Sequence, residues 1–363
     1  MRKKKVVVAM SGGVDSAVAA ALFKEAGFSV SGVIMKIYDD SISHPEGSRH
    51  ACFGPGEQQD VEDAQKAADQ LRIPLHVVDL QGKYRESVLD YFIQEYVNGN
   101  TPNPCARCNR EMKFSAIVDE LKKMDVTYDY FVTGHYARIE HNRVRNQFSL
   151  KKGVDLKKDQ SYFLYYLKSR ELRNYRFPLG RFTKAQVREL ALGLGLQIAN
   201  KAESQDFIAG GYSQLLAKHA VPGPIVTVDG EVVGQHKGIV FYTVGQRRGI
   251  GLANHKPLYV VAKDRVRNAI IVGNKDDLWG TDLVAGELNW IEFAELSQPI
   301  QVKAKIRYQH PEASAQVTPL AGRRVQVKFD KPQMAITPGQ VVVFYQGDTV
   351  VGGGIIEKEG RHE

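Results

Sequence analysis

The residues able to do chemistry fall in two short segments. Ser11-Gly12-Gly13-Val14-Asp15-Ser16 carries two adjacent glycines that let backbone N–H groups turn toward an anion, and Ser11 and Ser16 add hydroxyl donors. An Ala-rich helix pattern follows at once, so the positive amino end of a helix adds to the attraction. A phosphate fits such a turn. The segment has neither the Gly-Lys-Ser/Thr of a Walker A loop nor the Gly-x-Gly-x-x-Gly of a dinucleotide fingerprint. Asp15 is then the informative residue. A carboxylate among phosphate ligands repels them unless Mg²⁺ lies between, which points to a metal-bound triphosphate with Asp15 at the Mg²⁺.

The second segment is Thr101-Pro102-Asn103-Pro104-Cys105-Ala106-Arg107-Cys108-Asn109. Its two prolines predict an extended, stiff loop. A helix expected from near Glu111 directs its positive end at Cys108, with Arg107 and Arg110 close by, so a lowered thiol pKa is expected. A thiolate attacks, carries persulfide sulfur or binds metal. Cys-x-x-Cys alone reads as half a zinc site, a redox dithiol or two ligands of an iron–sulfur cluster. Zinc would need further Cys or His at short spacing, and no second Cys-x-x-Cys exists. The remaining cysteine, Cys52, follows the second strand pattern and is expected on the same sheet edge. Three thiolates would hold a 4Fe–4S cluster and leave one iron open to a ligand such as hydrosulfide. Three cysteines are also too few, and odd in number, for a disulfide framework.

The elements that position these segments read as a parallel α/β sheet. Continuous apolar runs at Val6 to Met10, Phe28 to Ile37, Leu75 to Val78 and Tyr130 to Thr133 alternate with helical patterns at Ser16 to Ala26, Gln58 to Leu71, Tyr84 to Val97 and Glu111 to Met124. Ligands of doubly wound sheets sit beyond the carboxyl ends of the strands, which marks the loops after Met10, Ile37 and Thr133. After about Asp206 short alternating runs take over, with Asp229-Gly230 as a hairpin signal. The expected order is an α/β domain over 1–208, a small central module over 209–282 and a β-barrel over 283–363.

Composition excludes other classes. Of 363 residues 43% are hydrophobic and 25% charged, which is globular rather than disordered or fibrous. Apolar runs such as Ala17 to Phe23 are too short to span a membrane, and the basic amino terminus leads into a strand rather than a signal-peptide core, so the cytoplasm is the expected location. The net charge is +8, yet Arg138 to Arg188 holds 14 Lys/Arg against 4 Asp/Glu. Such a stretch is either a solvated face or a seat for a polyanion such as RNA.

Ser11 to Ser16 resembles the signature of the PP-loop ATP pyrophosphatases, which cleave ATP between the α and β phosphates and adenylate a substrate. Five further segments follow in order: Gly134-His135-Tyr136-Ala137, Lys158-Asp159-Gln160-Ser161-Tyr162-Phe163-Leu164, Gly245-Gln246-Arg247-Arg248-Gly249, Arg307-Tyr308 and Thr337-Pro338-Gly339-Gln340. With them the chain resembles the bacterial tRNA-specific 2-thiouridylases, the MnmA family, from Lys5 to Glu357. The resemblance implies ATP-dependent replacement of the C2 oxygen of the wobble uridine in tRNA by sulfur. It places Ala9, Met10, Ser11, Gly12, Gly13, Val14, Asp15, Ser16, Met35 and Gly134 at ATP, and Asn103, Pro104 and Cys105 at the target base. His135, Lys158, Asp159, Gln160, Arg307, Tyr308 and Gln340 fall at tRNA, and Cys108 at the nucleophile position. It also implies an upstream sulfur donor, either a cysteine desulfurase or relay protein or free hydrosulfide.

Two departures bear on the sulfur step. Best-known members have Asp at the position of Cys105 and a second cysteine in the segment matching Lys201 to Gly210, where this chain has none. Either Cys105 or Cys52 replaces the missing partner in a persulfide route, or Cys52, Cys105 and Cys108 bind the cluster; the cluster is the favoured expectation. Two readings compete with the whole: a PP-loop ligase acting on a small carboxylate or amide, and an RNA-binding module without catalysis.

Overall fold

Val6, Val7 and Val8 are each at most 1% exposed, as a strand covered on both faces must be. In the computed structural model, which describes residues 2–40, 42, 51–199, 201, 206–252 and 257–358, these valines form β1 (Lys5–Ala9) at the centre of a parallel sheet. The chain divides into two compact units, residues 1–88, 104–211 and 348–351 in one and 89–103, 212–347 and 352–363 in the other.

In the first unit β1 leads into α1 (Val14–Glu25), then β2 (Ser29–Lys36), the short β3 (Ala51–Phe53), α2 (Glu57–Gln70) and β4 (Leu75–Asp79). Helical segments over 81–97 and 104–123 precede β5 (Tyr130–Thr133), and the hairpin β6 (Ala137–Asn142) and β7 (Gln147–Lys152) precedes β8 (Tyr175–Arg176), α3 (Lys184–Gly193) and β9 (Asp206–Ile208). The sheet order is β4-β2-β1-β5-β8, every pair parallel. The chain winds outward from β1 to one side and then returns to its other side with β5. That reversal leaves a crevice at the carboxyl ends of β1 and β5.

Residue size sets the packing. Ala17, Ala19 and Ala20 of α1 are fully buried, so the helix lies close on β1 and reaches Val187 and Ala191 of α3 in one core cluster. Successive residues of β5 serve opposite faces: Val132 joins that cluster, whereas Phe131 meets the rings of Phe114 and Tyr175 on the other side. Helices therefore cover both faces, as the uninterrupted apolar strands require.

The second unit is mostly β. A four-stranded sheet in the order β11-β10-β13-β12 comprises β10 (Gly223–Thr227), β11 (Val232–His236), β12 (Tyr259–Asp264) and β13 (Ala269–Gly273). Gly230, at φ +89°, makes the β10–β11 turn that Asp229-Gly230 predicts. The strands β14 (Trp279–Trp290), β15 (Ile300–Lys305), β16 (Ala313–Leu320), β17 (Arg324–Met334), β18 (Val341–Gln346) and β19 (Thr349–Ile356) run in the order β14-β17-β16-β15-β18-β19, and pairing of β14 with β19 closes the barrel. The α/β sheet followed by a β-barrel is the expected fold class. Among the described residues no helix is long and apolar enough to cross a membrane.

Gly12 is where the fold constrains the crevice most tightly. Its φ is +65°, and a Cβ there would overlap the backbone carbonyl of Asp60 in α2. Gly12→Ala is expected to cost about 2 kcal/mol or more, from the left-handed backbone and the forced separation of turn and helix. Thermal unfolding checks this: a melting temperature within 1 °C of the parent, on a scale where each kcal/mol moves a domain of this size by about 2–4 °C, would contradict it.

Candidate active site

The turn after β1 keeps part of its donor set open. Gly13 caps α1 without a side-chain hydrogen bond, so the first-turn N–H groups have no cap to satisfy them. Ser16 ties the turn from within: its Oγ accepts from the Ser11 N–H at 3.2 Å and donates to the Gly13 carbonyl at 3.0 Å. The sequence points to Mg²⁺ as the counter-charge of Asp15, but the structure supplies a protein one. Lys184 Nζ lies 2.8 Å and 2.9 Å from the two carboxylate oxygens, and the Tyr136 hydroxyl donates to Oδ1 at 2.8 Å. Neither partner is evident in the motif, because Lys184 stands at the first turn of α3, 169 residues away.

A cavity of about 240 Å³ opens at this edge. Of the residues expected at ATP, Ala9, Met10, Ser11, Asp15, Ser16, Met35 and Gly134 line it, while Gly12, Gly13 and Val14 form the turn behind. Gly134 is where β5 passes α1: a Cβ there would press on the backbone of Asp15 and Ser16 at 3.0–3.1 Å. Cys52, His135 and Gln160 reach the same cavity, as do three residues that motif reading misses: Glu57, Asp60 and Lys113. Glu57 Oε1 accepts from the N–H groups of Ile37 and Tyr38 at 2.6 and 2.9 Å and so fixes the loop after β2. Burial nonetheless raises its carboxyl above the usual range.

The cysteine segment differs from its expected form. Pro104–Cys108 is helical and continues into a π-helical stretch, Asn109–Ala116, so Cys105 and Cys108 lie on a helix rather than on a stiff loop before one. Pro104 stands at the first helical position, where a missing N–H costs nothing. The thiol shift is also opposite to expectation. Burial pushes Cys108 up to about 12 and raises Cys52, with only Lys113 among the nearby cations opposing it at both. Arg107 and Arg110 are occupied by Glu111 at 3.3 and 3.4 Å, and Arg107 Nε also donates to the Ser87 carbonyl. Cys52 and Cys105 still reach solvent and Cys108 is half-buried. Cys52 stands in a concave wall, ringed by protein yet accessible. The three thiols are close enough for Cys108 to feel the other two, and all three act on the buried Tyr84 hydroxyl. Among the described residues, no three His, Cys, Asp or Glu side chains converge to hold a single metal ion. Of the segment that lacks the second cysteine, residues 202–205 lie outside the described residues.

The residues expected at tRNA divide by surroundings. His135 is buried, its Nδ1 2.7 Å from Thr133 Oγ1, and burial, reinforced by the charge of Lys113, holds its pKa well below the ordinary value. Gln160 Oε1 accepts from the Tyr136 N–H. Asp159 is 5% exposed, and its carboxylate accepts from the Gly153 and Ser161 N–H groups and the Ser161 hydroxyl, while Lys158 beside it is half-buried. In the second unit, Arg307 donates to the carbonyls of Val244 and Ala335 and to the Thr337 hydroxyl, and Lys305 lies over the Tyr308 ring. Gln340 donates to the carbonyls of Thr101 and Pro102, just ahead of Asn103. Of the basic stretch, Arg138 and Lys151 pair with Glu140 and Asp348, whereas Arg143 and Arg145 stand on the exposed β6–β7 turn.

Comparison with known proteins converges on one family. The families described as "tRNA methyl transferase HUP domain", "tRNA methyl transferase PRC-barrel domain" and "Aminomethyltransferase beta-barrel domain" match residues 4–209, 213–274 and 281–356. The "tRNA-specific 2-thiouridylase MnmA" of Moorella thermoacetica is 47% identical over 358 residues, covering 97% of this chain and 99% of that protein. Its namesake in Pelotomaculum thermopropionicum is 43% identical over 367 residues, covering 99% of each. Among solved structures, NMN synthetase from Francisella tularensis aligns with 55% of this chain and 66% of its own at a TM-score of 0.32 and 19% identity. At such identity over the full length, the chain belongs to the tRNA-specific 2-thiouridylase MnmA family of sulfurtransferase enzymes.

Proposed function

We propose that this protein activates the C2 oxygen of the wobble uridine of tRNA as an AMP ester and replaces it with sulfur. The observation that carries this reading is a single cavity whose wall holds the open turn Ser11–Ser16, the strand-end residues Met35 and Gly134, and Cys52. In the first step the uridine O2 attacks the α-phosphorus of ATP, the bond from that phosphorus to pyrophosphate breaks, and the N3 proton leaves. Pyrophosphate departs against the backbone N–H groups of the turn. In the second step hydrosulfide adds to C2, the C2–O bond breaks, AMP leaves with the oxygen, and the proton brought by the sulfur ends on N3, replacing the one lost in the first step. An oxygen that is a poor leaving group thereby becomes a good one.

Mg²⁺ would arrive on the ATP phosphates. Asp15 already accepts from Lys184 and Tyr136, so it fits a Mg²⁺ that keeps its waters better than one bound directly. Cys52, Cys105 and Cys108 fit a 4Fe–4S cluster better than a single ion, since Cys108 feels both other thiols although the three do not meet at a point. Such a cluster would supply an open iron on which hydrosulfide is held. Asn103 and Pro104 lead into this thiol group and are assigned to the unstacked base, with the Gln340 hydrogen bonds fixing the two residues before them. We assign adenylation to residues 1–208, tRNA binding to 209–282 and the barrel to 283–363. Lys158, Asp159, His135, Gln160, Arg307 and Tyr308 are assigned to the tRNA surface or its support, and the reaction to the cytoplasm, with a desulfurase, relay protein or free sulfide as donor.

The test is anaerobic protein with ATP, Mg²⁺, sulfide and an unmodified tRNA transcript, read by mass spectrometry of nucleosides. The expected result is tRNA-dependent AMP and pyrophosphate, 2-thiouridine at the wobble position, about four irons per chain and loss of product in both Cys108→Ala and Cys52→Ala. Absence of 2-thiouridine from the parent protein would reject the function. Full activity without iron, supported by a persulfide-carrying desulfurase or relay protein but not by sulfide, would replace the cluster by a persulfide on Cys108 resolved by Cys105 or Cys52. Lys184→Met leaves the Asp15 carboxylate facing the phosphates without its cation, so calorimetry should show ATP binding weakened about tenfold or more; unchanged affinity would contradict the pairing. Replacing Arg143 and Arg145 together by Gln should reduce the salt dependence of tRNA binding by about one to two counterions, and an unaltered slope would remove that turn from the interface.

A further inference from the structure

We infer that Lys113 is a catalytic residue that binds the α-phosphate as it passes from ATP to the uridine oxygen. The assignment rests on the proposed adenylation and deepens it by naming the protein cation at the reacting phosphorus.

The ionisable groups in the cavity wall are Asp15, Cys52, Glu57, Asp60, His135 and Lys113. Lys184 and Tyr136 satisfy Asp15, and backbone N–H groups satisfy Glu57. Lys201 lies 2.7 Å from Asp60, and His135 is bonded to Thr133. Every carboxylate is thus committed to another group. The Lys113 ammonium makes no hydrogen bond or ion pair with any described residue, although it lines a cavity containing three carboxylates. A half-buried ammonium without a counter-ion beside an open anion turn calls for an anionic ligand.

Its place in the chain says which part of that ligand. Lys113 lies five residues beyond Cys108, on the π-helical stretch Asn109–Ala116, a kind of local distortion often found at functional sites. Its charge is felt at Cys52, Cys108 and His135, so it stands near the thiols, and it lines the same cavity as Ser11 and Ser16 of the anion turn. The group that must meet both the turn and the base beside the thiols is the α-phosphate. It starts in line with the turn and ends on the base next to the incoming sulfur. As the O2–phosphorus bond forms and the bond to pyrophosphate breaks, the non-bridging oxygens gain charge that a fixed ammonium stabilises. The same contact receives AMP as the leaving group.

The experiment is single-turnover pyrophosphate release by the full-length protein with ATP and tRNA, alongside 2-thiouridine formation. Lys113→Met should slow pyrophosphate release by about 10²- to 10³-fold, and Lys113→Arg should stay within about tenfold of the parent because it restores the charge. Thermal melting verifies folding, and Lys113→Gln serves if the Met variant unfolds. Pyrophosphate release by folded Lys113→Met within about threefold of the parent would overturn the assignment, even if sulfur transfer alone were lost. If the parent protein released no pyrophosphate on adding tRNA, adenylation itself would fall; an active parent beside an equally active Met variant strikes Lys113 alone.

Discussion

A carboxylate inside an anion-binding turn must be neutralised before the turn can hold a phosphate, and much of the first unit is arranged so that Lys184 does this for Asp15. Thr183 starts α3 with a capping box, its backbone N–H donating to Gln186 Oε1 at 2.8 Å, which fixes Lys184 at the first turn. Val187 and Ala191 hold that helix against the small side chains of α1. Alanines at 17, 19 and 20 are therefore part of the electrostatics: bulkier residues would push α3 away and leave Asp15 facing the cavity uncompensated. Gly12 completes the arrangement by letting the turn lie against Asp60.

This arrangement was only partly legible in the sequence. The glycines, the serines and the valine run identify the turn and its place at a strand end, because those properties are local. The parallel sheet follows from uninterrupted apolar strands, and its switch point from the order of elements. Lys184 and Tyr136 are invisible to local reading, since each meets Asp15 only through tertiary packing across more than a hundred residues. Lys113 was hidden for another reason: it lies within an ordinary charged helix pattern, and only the cavity shows that its ammonium has no partner among the described residues. Asp159 shows the converse, a motif residue whose carboxylate turns inward to hold three donors of its own loop.

The cysteines show how a correct local argument can give the wrong sign. A helix end contributes about 0.3–1 kcal/mol, less than one pKa unit, whereas removal from water can move a thiol by several units. The helix begins at Pro104 rather than near Glu111, the two arginines are held by Glu111, and burial prevails at Cys108. In the proposed reaction this keeps the resting sulfur protonated and unreactive until a group that needs the thiolate arrives, because loading such a group releases the proton.

The central claim is that the oxygen removed from the base leaves on AMP. A tRNA whose wobble uridine carries ¹⁸O at C2, incubated with ATP, sulfide and the protein for a single turnover, tests it directly by mass spectrometry of the nucleotide product. Adenylation of the base predicts one ¹⁸O in AMP for each 2-thiouridine formed; unlabelled AMP alongside 2-thiouridine would contradict it.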